Sequence, residues 1–304
     1  MSFTVIKSGF QDMVQDLGRT GYSHLGISET GAADSVSLRI ANILLGNSIE
    51  EAAIEVTLFG GSYLFDKKAI ILLSGSIFPS FIDNNPIDFF KPIHIDKGQT
   101  LTIGSTNDGA RCYLAIKGGF DVPSLLGSKA THLMSKAGGF YGRNIKKGDK
   151  IKYFRLDDIS LPNNIKFNID KDRSVLHVTK GLQFDLFDVI NKELFFNNKF
   201  TVSNNSNRMG LRITGPKIST KISKDILTEG LPLGAIQITG SSDSIISFVD
   251  HQTTGGYPKI ANVISADYDK LVQKTPGSKI KFKLVNLGVA ESAFKDYIKK
   301  LNFF

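Results

Sequence analysis

Apolar runs in this chain are short, and each is soon cut off by Gly, Pro, Asn or Asp. Ala69–Leu73, Leu101–Ile103, Tyr113–Ile116, Ile151–Phe154 and Ile280–Val285 all follow this pattern. They are rich in β-branched and aromatic residues, which fit a pleated, half-buried surface, and turn formers end them. Glycine supplies 29 of the 304 residues, enough for many tight turns. The pattern predicts a mostly β protein built from barrels or sandwiches. One amphipathic helix is expected over 34–45, where Val36, Leu38, Ile40, Ala41, Ile43, Leu44 and Leu45 keep close to a 3.6-residue period. Asp34 is its N-cap and Gly46 its stop. Further helices are expected at 182–189 and 291–300.

The chain also echoes itself. Val5–Asp12 resembles Val178–Asp185, and Lys147–Tyr153 resembles Pro276–Phe282. Between these markers lie Gly118-Gly119-Phe120 in one half and Gly255-Gly256-Tyr257 in the other. Markers in the same order imply a duplicated β-domain. The division is placed at 1–160, carrying the helix 34–45 as an insertion, and 172–304, with 157–171 as linker. The two Gly-Gly turns are expected at equivalent positions.

Composition removes several function classes. Lys and Arg exceed Asp and Glu by 37 − 29 = 8, which favours anionic partners. The basic residues are scattered, however, without an Arg-rich helix, finger spacing or aromatic RNP motif, so nucleic acid is not expected. No apolar run approaches the ~20 residues of a membrane helix. The first residues lack a signal-peptide pattern, so a cytoplasmic protein is expected. The single Cys112 excludes an internal disulfide and a cysteine zinc cluster. His24, His94, His132, His177 and His251 never fall at HxH or HxxxH spacing, so no metal is expected. There is no GxxxxGK[ST], GxGxxG or GxSxG, and no Met-Lys-Met to carry biotin.

Four polar, glycine-rich segments remain. Val14–Gly26 packs Asp16, Arg19, His24 and three glycines into one loop; it either brings these groups to a ligand or is a surface loop with an Asp16–Arg19 pair. Glu29–Asp34 leads into the helix, as an anion site or simply as its cap. Ser203–Arg212 carries Asn207, Arg208 and Arg212. In a strand the two arginines share a face, suited to a carboxylate, phosphate or bicarbonate, or else merely solvated. Asp250–Lys259 follows an apolar strand. Asp250 could act as base or orient Lys259, and Thr253, Thr254, Gly255 and Gly256 could hold an oxyanion. The alternative is a plain hairpin turn.

Taken in order, these segments resemble one family. Gln15-Asp16-Leu17-Gly18-Arg19, Gly21-Tyr22, His24 and Gly26 are followed by Gly31-Ala32, Asp34, Ala41-Asn42 and Gly46-Asn47. Next come Tyr113–Pro123, Leu126-Gly127-Ser128, Gly138-Gly139, Gly142-Arg143, Ser206–Gly210 and Asp250–Lys259. Together they are similar to allophanate-hydrolase-subunit-2 type proteins, a family that includes KipA, the carboxyltransferase half of urea carboxylase, and the C component of 5-oxoprolinase. The sequence departs from that pattern at Glu29-Thr30, Ala33, Leu182 and His251, the last beside Asp250.

The resemblance implies two duplicated cyclophilin-like β-barrel domains. It implies ATP-dependent hydrolysis of 5-oxoproline to glutamate. The partners it implies are an allophanate-hydrolase-subunit-1 type protein (the B component of 5-oxoprolinase) and a LamB/YcsF-type protein (the A component). ATP would be used by the complex, and biotin would not be carried by this chain. The alternatives are a KipA-type antagonist of a kinase inhibitor, and carboxyl transfer from carboxybiotin to urea or a similar amide. Asp250, Lys259 and Arg208 are the expected catalytic residues. Arg212, Asn207, Thr254, Gly255, Gly256, Asp16 and His24 are expected to bind substrate, with Asp250, Lys259 and Arg208 lining one pocket joined by His24 or Asp16.

Overall fold

The computed structural model describes residues 1–154, 174–220 and 226–301. The expected linker 157–171 and the boundaries at 160 and 172 lie outside them. The chain forms two compact units: one holds Met1–Arg19 and the described residues from Thr30 to 154, the other Thr20–Glu29 and the described residues from 174.

The first unit is built on two antiparallel sheets. One has the order Lys150–Lys152, Ser2–Lys7, Ser62–Phe65, Thr100–Ile103, Ser80–Ile82, Asn85–Pro86. The other has the order Gln11–Gln15, Ala53–Thr57, Arg111–Ile116, Ala69–Gly75, Ile93–Ile95. Every residue of Arg111–Ile116 is buried, and its alternation explains why. Cys112, Leu114 and Ile116 face a core shared with Phe3, Val5, Phe65 and Leu101. Tyr113 and Ala115 pack instead with Leu38, Ala41 and Leu45 of helix α1, Ser35–Leu45. Each fully buried Leu contributes ~1.5–3 kcal/mol. The helix starts where Asp34 Oδ1 accepts from Ser37 N at 2.9 Å and stops at left-handed Gly46. Replacing Asp34 by Ala would cost ~1 kcal/mol through the lost cap.

Asp12, 1% exposed, is buried beside this core. Its Oδ2 accepts from Gly9 N and from the Tyr63 hydroxyl, both at 2.8 Å, while Oδ1 has no partner among the described residues. Burial pushes its carboxyl up to about 6, although both hydrogen bonds act the other way.

The second unit is a closed barrel in the order Val175–Lys180, Lys259–Val263, Ala235–Ile238, Ser244–Ser247, Gly210–Thr214, Lys199–Val202, Lys279–Leu284. The last strand returns to the first in parallel. Closure leaves the barrel itself without a free edge among the described residues. Helix α2, Val189–Asn197, inserts Phe195 against Phe282, with the rings stacked 4.8 Å apart. Helix α3 is Tyr268–Val272, and the C-terminal helix α4 is Leu287–Leu301.

Three expectations change. The helix expected at 182–189 is a 3-10 turn at Phe184–Leu186, and α2 begins only where Asp188 Oδ1 accepts from Asn191 N. The repeat is also phased differently from Val5–Asp12 against Val178–Asp185. In the first unit Gly148 N donates to Val5 O and Val5 N to Asp149 O, at 2.8 and 2.9 Å. In the second, Gly277 N donates to Val202 O and Val202 N to Ser278 O, at the same distances. Phe3 pairs Ile151 just as Phe200 pairs Ile280. The matching sequence is thus Phe3-Thr4-Val5 with Phe200-Thr201-Val202. Finally, the two Gly-Gly turns differ. Gly118 and Gly119 are left-handed, with φ 90° and 80°. Gly255 and Gly256 are not, and Gly255 is paired with Glu229 in a short ribbon.

Candidate functional site

In the first unit, the Asp16 loop is fastened down. Asp16 Oδ1 accepts from Gly18 N at 2.8 Å and from Ser128 Oγ at 2.7 Å, and its Oδ2 accepts from Lys129 N. Arg19 Nη2 donates to Ala130 O at 2.6 Å. Gln15 Nε2 donates to Thr131 O at 3.0 Å. Asp16 and Arg19 thus clamp their loop onto 128–131. The expected Asp16–Arg19 surface pair is replaced by this anchoring, because both side chains are buried and backbone groups there need partners. Nearby, buried Glu55 accepts from Ala33 N and the Tyr113 hydroxyl, and that hydroxyl accepts from Asp34 N. Asp34 is therefore a cap within a buried network.

In the second unit, Asn207 Oδ1 accepts from Met209 N and Gly210 N, an Asx turn just before the strand Gly210–Thr214. The turn sends Arg208 inward. Its Nε and Nη2 donate to Asp250 Oδ2 and Oδ1 at 2.9 and 3.0 Å, and Asp250 N donates to Arg208 O at 2.7 Å. Both side chains are almost fully buried, at 3% and 2% exposed. Arg212, inside the strand, faces solvent. Its charge adds to the Lys217 and Ser241 hydrogen bonds that hold Asp243 below the usual carboxylate range. The two arginines therefore do not share a face. The even-offset rule needs both residues in the strand, and the strand begins after Arg208.

Lys259 opens the strand Lys259–Val263 and is 0% exposed. Its Nζ meets Glu229 Oε1 at 2.6 Å, so Glu229 is the acid that orients it, not Asp250. Gln183 completes the set: its Nε2 donates to the same Glu229 oxygen at 2.8 Å, and its Oε1 accepts from Lys259 N at 3.1 Å. The Lys259 and Gln183 hydrogen bonds hold the Glu229 carboxyl below its ordinary range. Glu229, 34% exposed, is the accessible end of the pair. The arrangement presents an oriented, ionised carboxylate backed by a buried ammonium.

Gln237 lies opposite Lys259 in the register, and directly opposed residues share a sheet face. It is 4% exposed, and its Nε2 has no partner among the described residues. A Cβ on Gly255 would stand 2.7 Å from that nitrogen. Thr254 is exposed and Gly256 half-buried. His24 sits exposed in the turn Ser23–Leu25, within the segment that belongs to this unit; Ser28 Oγ ties that segment to His251 O at 2.6 Å.

Glu229, Gln183 and Gln237 were not legible as site residues. Glu229 and Gln183 are 30 and 76 residues from Lys259, and no short motif encloses them. The one cue was that the conspicuous Lys259 required an acid somewhere. Among the described residues, no cluster of metal-ligating side chains occurs and no helix is long and apolar enough to cross a membrane.

Residues 25–284 match the family described as carboxyltransferase domain, subdomain A and B. The chain is 35% identical to the C component of 5-oxoprolinase from Haemophilus influenzae, covering 90% of this chain and 88% of that one. It is 34% identical to the same component from Escherichia coli, over 96% and 94%. Among solved structures, the urea amidolyase of K. lactis superposes with a TM-score of 0.88 at 34% identity, over 98% of this chain and 20% of that one.

Proposed function

Because the chain belongs to the carboxyltransferase domain family of subdomains A and B, we propose that it is the C component of an ATP-dependent 5-oxoprolinase complex. The complex would open 5-oxo-L-proline to L-glutamate. The observation that carries this reading is coverage. The chain matches nearly the whole length of the two relatives named as that component, but only a fifth of the urea amidolyase chain. Both relatives are named as one part of a larger enzyme, which implies partner subunits. We take these to be the subunit-1 type and LamB/YcsF-type proteins, in the cytoplasm.

A lactam amide is resonance-stabilised, so its hydrolysis needs activation of the carbonyl oxygen before water adds. ATP would supply that as co-substrate of the assembled complex. This chain contains no GxxxxGK[ST] phosphate loop, and we assign nucleotide binding to the partners. The residues offered to substrate are Glu229 with its buried Lys259, Thr254 and the Gly255-Gly256 backbone, with His24 on the neighbouring turn. Arg208 and Asp250 serve as the strut that holds the 250–256 segment, since a buried bidentate pair has no face toward a ligand. Mixing the three proteins and measuring ATP hydrolysis with and without 5-oxoproline tests the reading; absence of substrate-dependent hydrolysis refutes it.

A second reading rests on the urea amidolyase likeness: carboxyl transfer onto an amide nitrogen. It predicts consumption of carboxybiotin in the presence of urea, without ATP.

A further inference from the structure

Three features of the second unit converge on one small region. Glu229 Oε1 is filled by Lys259 and Gln183, and Glu229 Oε2 has no partner among the described residues. Gln237 Nε2 is a buried donor that lacks one as well. Gly255 links the two, because it pairs with Glu229 across the ribbon and its missing Cβ lets the Gln237 amide lie directly against its backbone. A buried donor without an acceptor costs ~1–3 kcal/mol. Native chains rarely keep one unless something else satisfies it. Glycine at a site without positive φ is explained by close approach of another group rather than by backbone conformation.

We propose that Glu229 Oε2 and Gln237 Nε2 form an acceptor–donor pair that reads a cis-amide, taking its N–H and its C=O side by side along the Gly255 backbone. A neutral ligand group fits, because the charges of Lys259 and Glu229 already cancel. A carboxylate or phosphate does not, because it would meet the Glu229 oxygen. Planar rings that hold N–H and C=O on the same edge are lactams and cyclic ureas. The inference rests on the function proposed above only in choosing the lactam as its first probe.

The test is calorimetric titration of the chain, assembled with its partners, using 5-oxoproline, its N-methyl derivative and 2-imidazolidone. N-methylation removes the hydrogen bond to Glu229 without altering the protein. It is expected to weaken binding about tenfold or more, the consequence of leaving a charged acceptor unpaired. Gln237→Leu removes the donor at similar volume and is expected to weaken 5-oxoproline binding about tenfold. Its melting temperature should be unchanged or higher, because an unsatisfied buried group has gone. A merely structural Gln237 would lower the melting temperature instead. Gly255→Ala, which pushes the amide aside, should reproduce the loss of affinity.

Tighter binding of 2-imidazolidone than of 5-oxoproline would assign the pair to a cyclic urea and still support it. Equal binding of the parent and N-methyl lactams, unaltered binding by Gln237→Leu, or failure of the assembled chain to bind any of the three overturns the proposal. Turnover of 5-oxoproline that survives Gln237→Leu intact sinks this inference and leaves the proposed function standing. N–H-dependent binding without any turnover does the reverse.

Discussion

Asp12→Asn should make the first unit more stable at neutral pH than at acid pH, relative to the unaltered protein. Burial lifts the Asp12 carboxyl from an ordinary 3.8 to about 6. Each pKa step is worth ~1.4 kcal/mol, so holding this group ionised costs the folded state about 3 kcal/mol. The sign follows from proton linkage. Between pH ~4 and ~6 the folded state binds a proton that the unfolded state has released, so stability falls as pH rises through that window. Below ~4 the penalty is absent, and above ~6 it is complete. Asparagine keeps an oxygen for Gly9 N and the Tyr63 hydroxyl but carries no charge, so its profile lacks this slope. Cys112 supplies the assay. It is the single thiol of the chain, fully buried in the same unit, and burial raises its pKa well above the ordinary range, with the Asp12 charge adding. Its modification by dithiodipyridine, which works in acid as well as neutral solution, reports opening of that unit. The ratio of wild-type to Asp12→Asn labelling rates at each pH cancels the intrinsic chemistry of the thiol. That ratio is expected to rise about a hundredfold from pH 4 to pH 7. A flat ratio would show that Asp12 is not a buried carboxylate under strain.

Arg208→Ala should cost the second unit about 3–5 kcal/mol by stranding Asp250, and Arg208→Met with Asp250→Leu should restore much of it, as read by urea denaturation. Lys259→Met should raise the Glu229 carboxyl toward its ordinary range, with the Gln183 hydrogen bond still acting to lower it, visible in a side-chain NMR titration. In the native protein the stabilisation from that pair is present above the ordinary carboxyl pKa, and it is lost as pH falls through the depressed one. Gly31→Ala should destabilise by about 1–3 kcal/mol or more, because φ is +96° and the new Cβ would stand 2.7 Å from Gly18 N; thermal melting measures it. Gly255→Ala should change the melting temperature little, because the atom it meets is the movable tip of Gln237, while its effect falls on ligand binding.

The parts of the fold that rest on local rules were legible in the sequence. Asp34 and Gly46 bound helix α1 because capping is decided within four residues, and Ala69–Gly75 or Lys279–Leu284 alternate or run apolar as strands do. The parts that depend on distant partners were not. Arg208 reads as a strand residue until Asn207 is seen to turn the chain. Asp250 reads as the partner of nearby Lys259, yet Arg208 takes it from 42 residues away. Glu229 carries no motif and gains its role from a two-residue ribbon. The repeat was sensed through Gly148 and Gly277, but its phase needed the hydrogen bonds of Val5 and Val202. The short identity Phe-Thr-Val was present in both halves and was outweighed by a longer, looser echo.

Residues 20–29 belong to the second unit although the chain on either side of them belongs to the first. The Ser28–His251 bond spans 223 residues of sequence. During synthesis, at about 5–20 residues per second, this segment emerges well over a hundred residues before the barrel it settles on. The first unit can complete itself while ten of its intervening residues wait undocked. Maturation of the two units is thereby ordered in time, and the long-range closure comes last, where loop-closure entropy makes it slow. Expression of the first half alone would leave residues 20–29 without the unit they belong to, and expression of the second half alone would yield that unit without this segment. Supplying residues 20–29 as a separate peptide would be the natural complement to the second half.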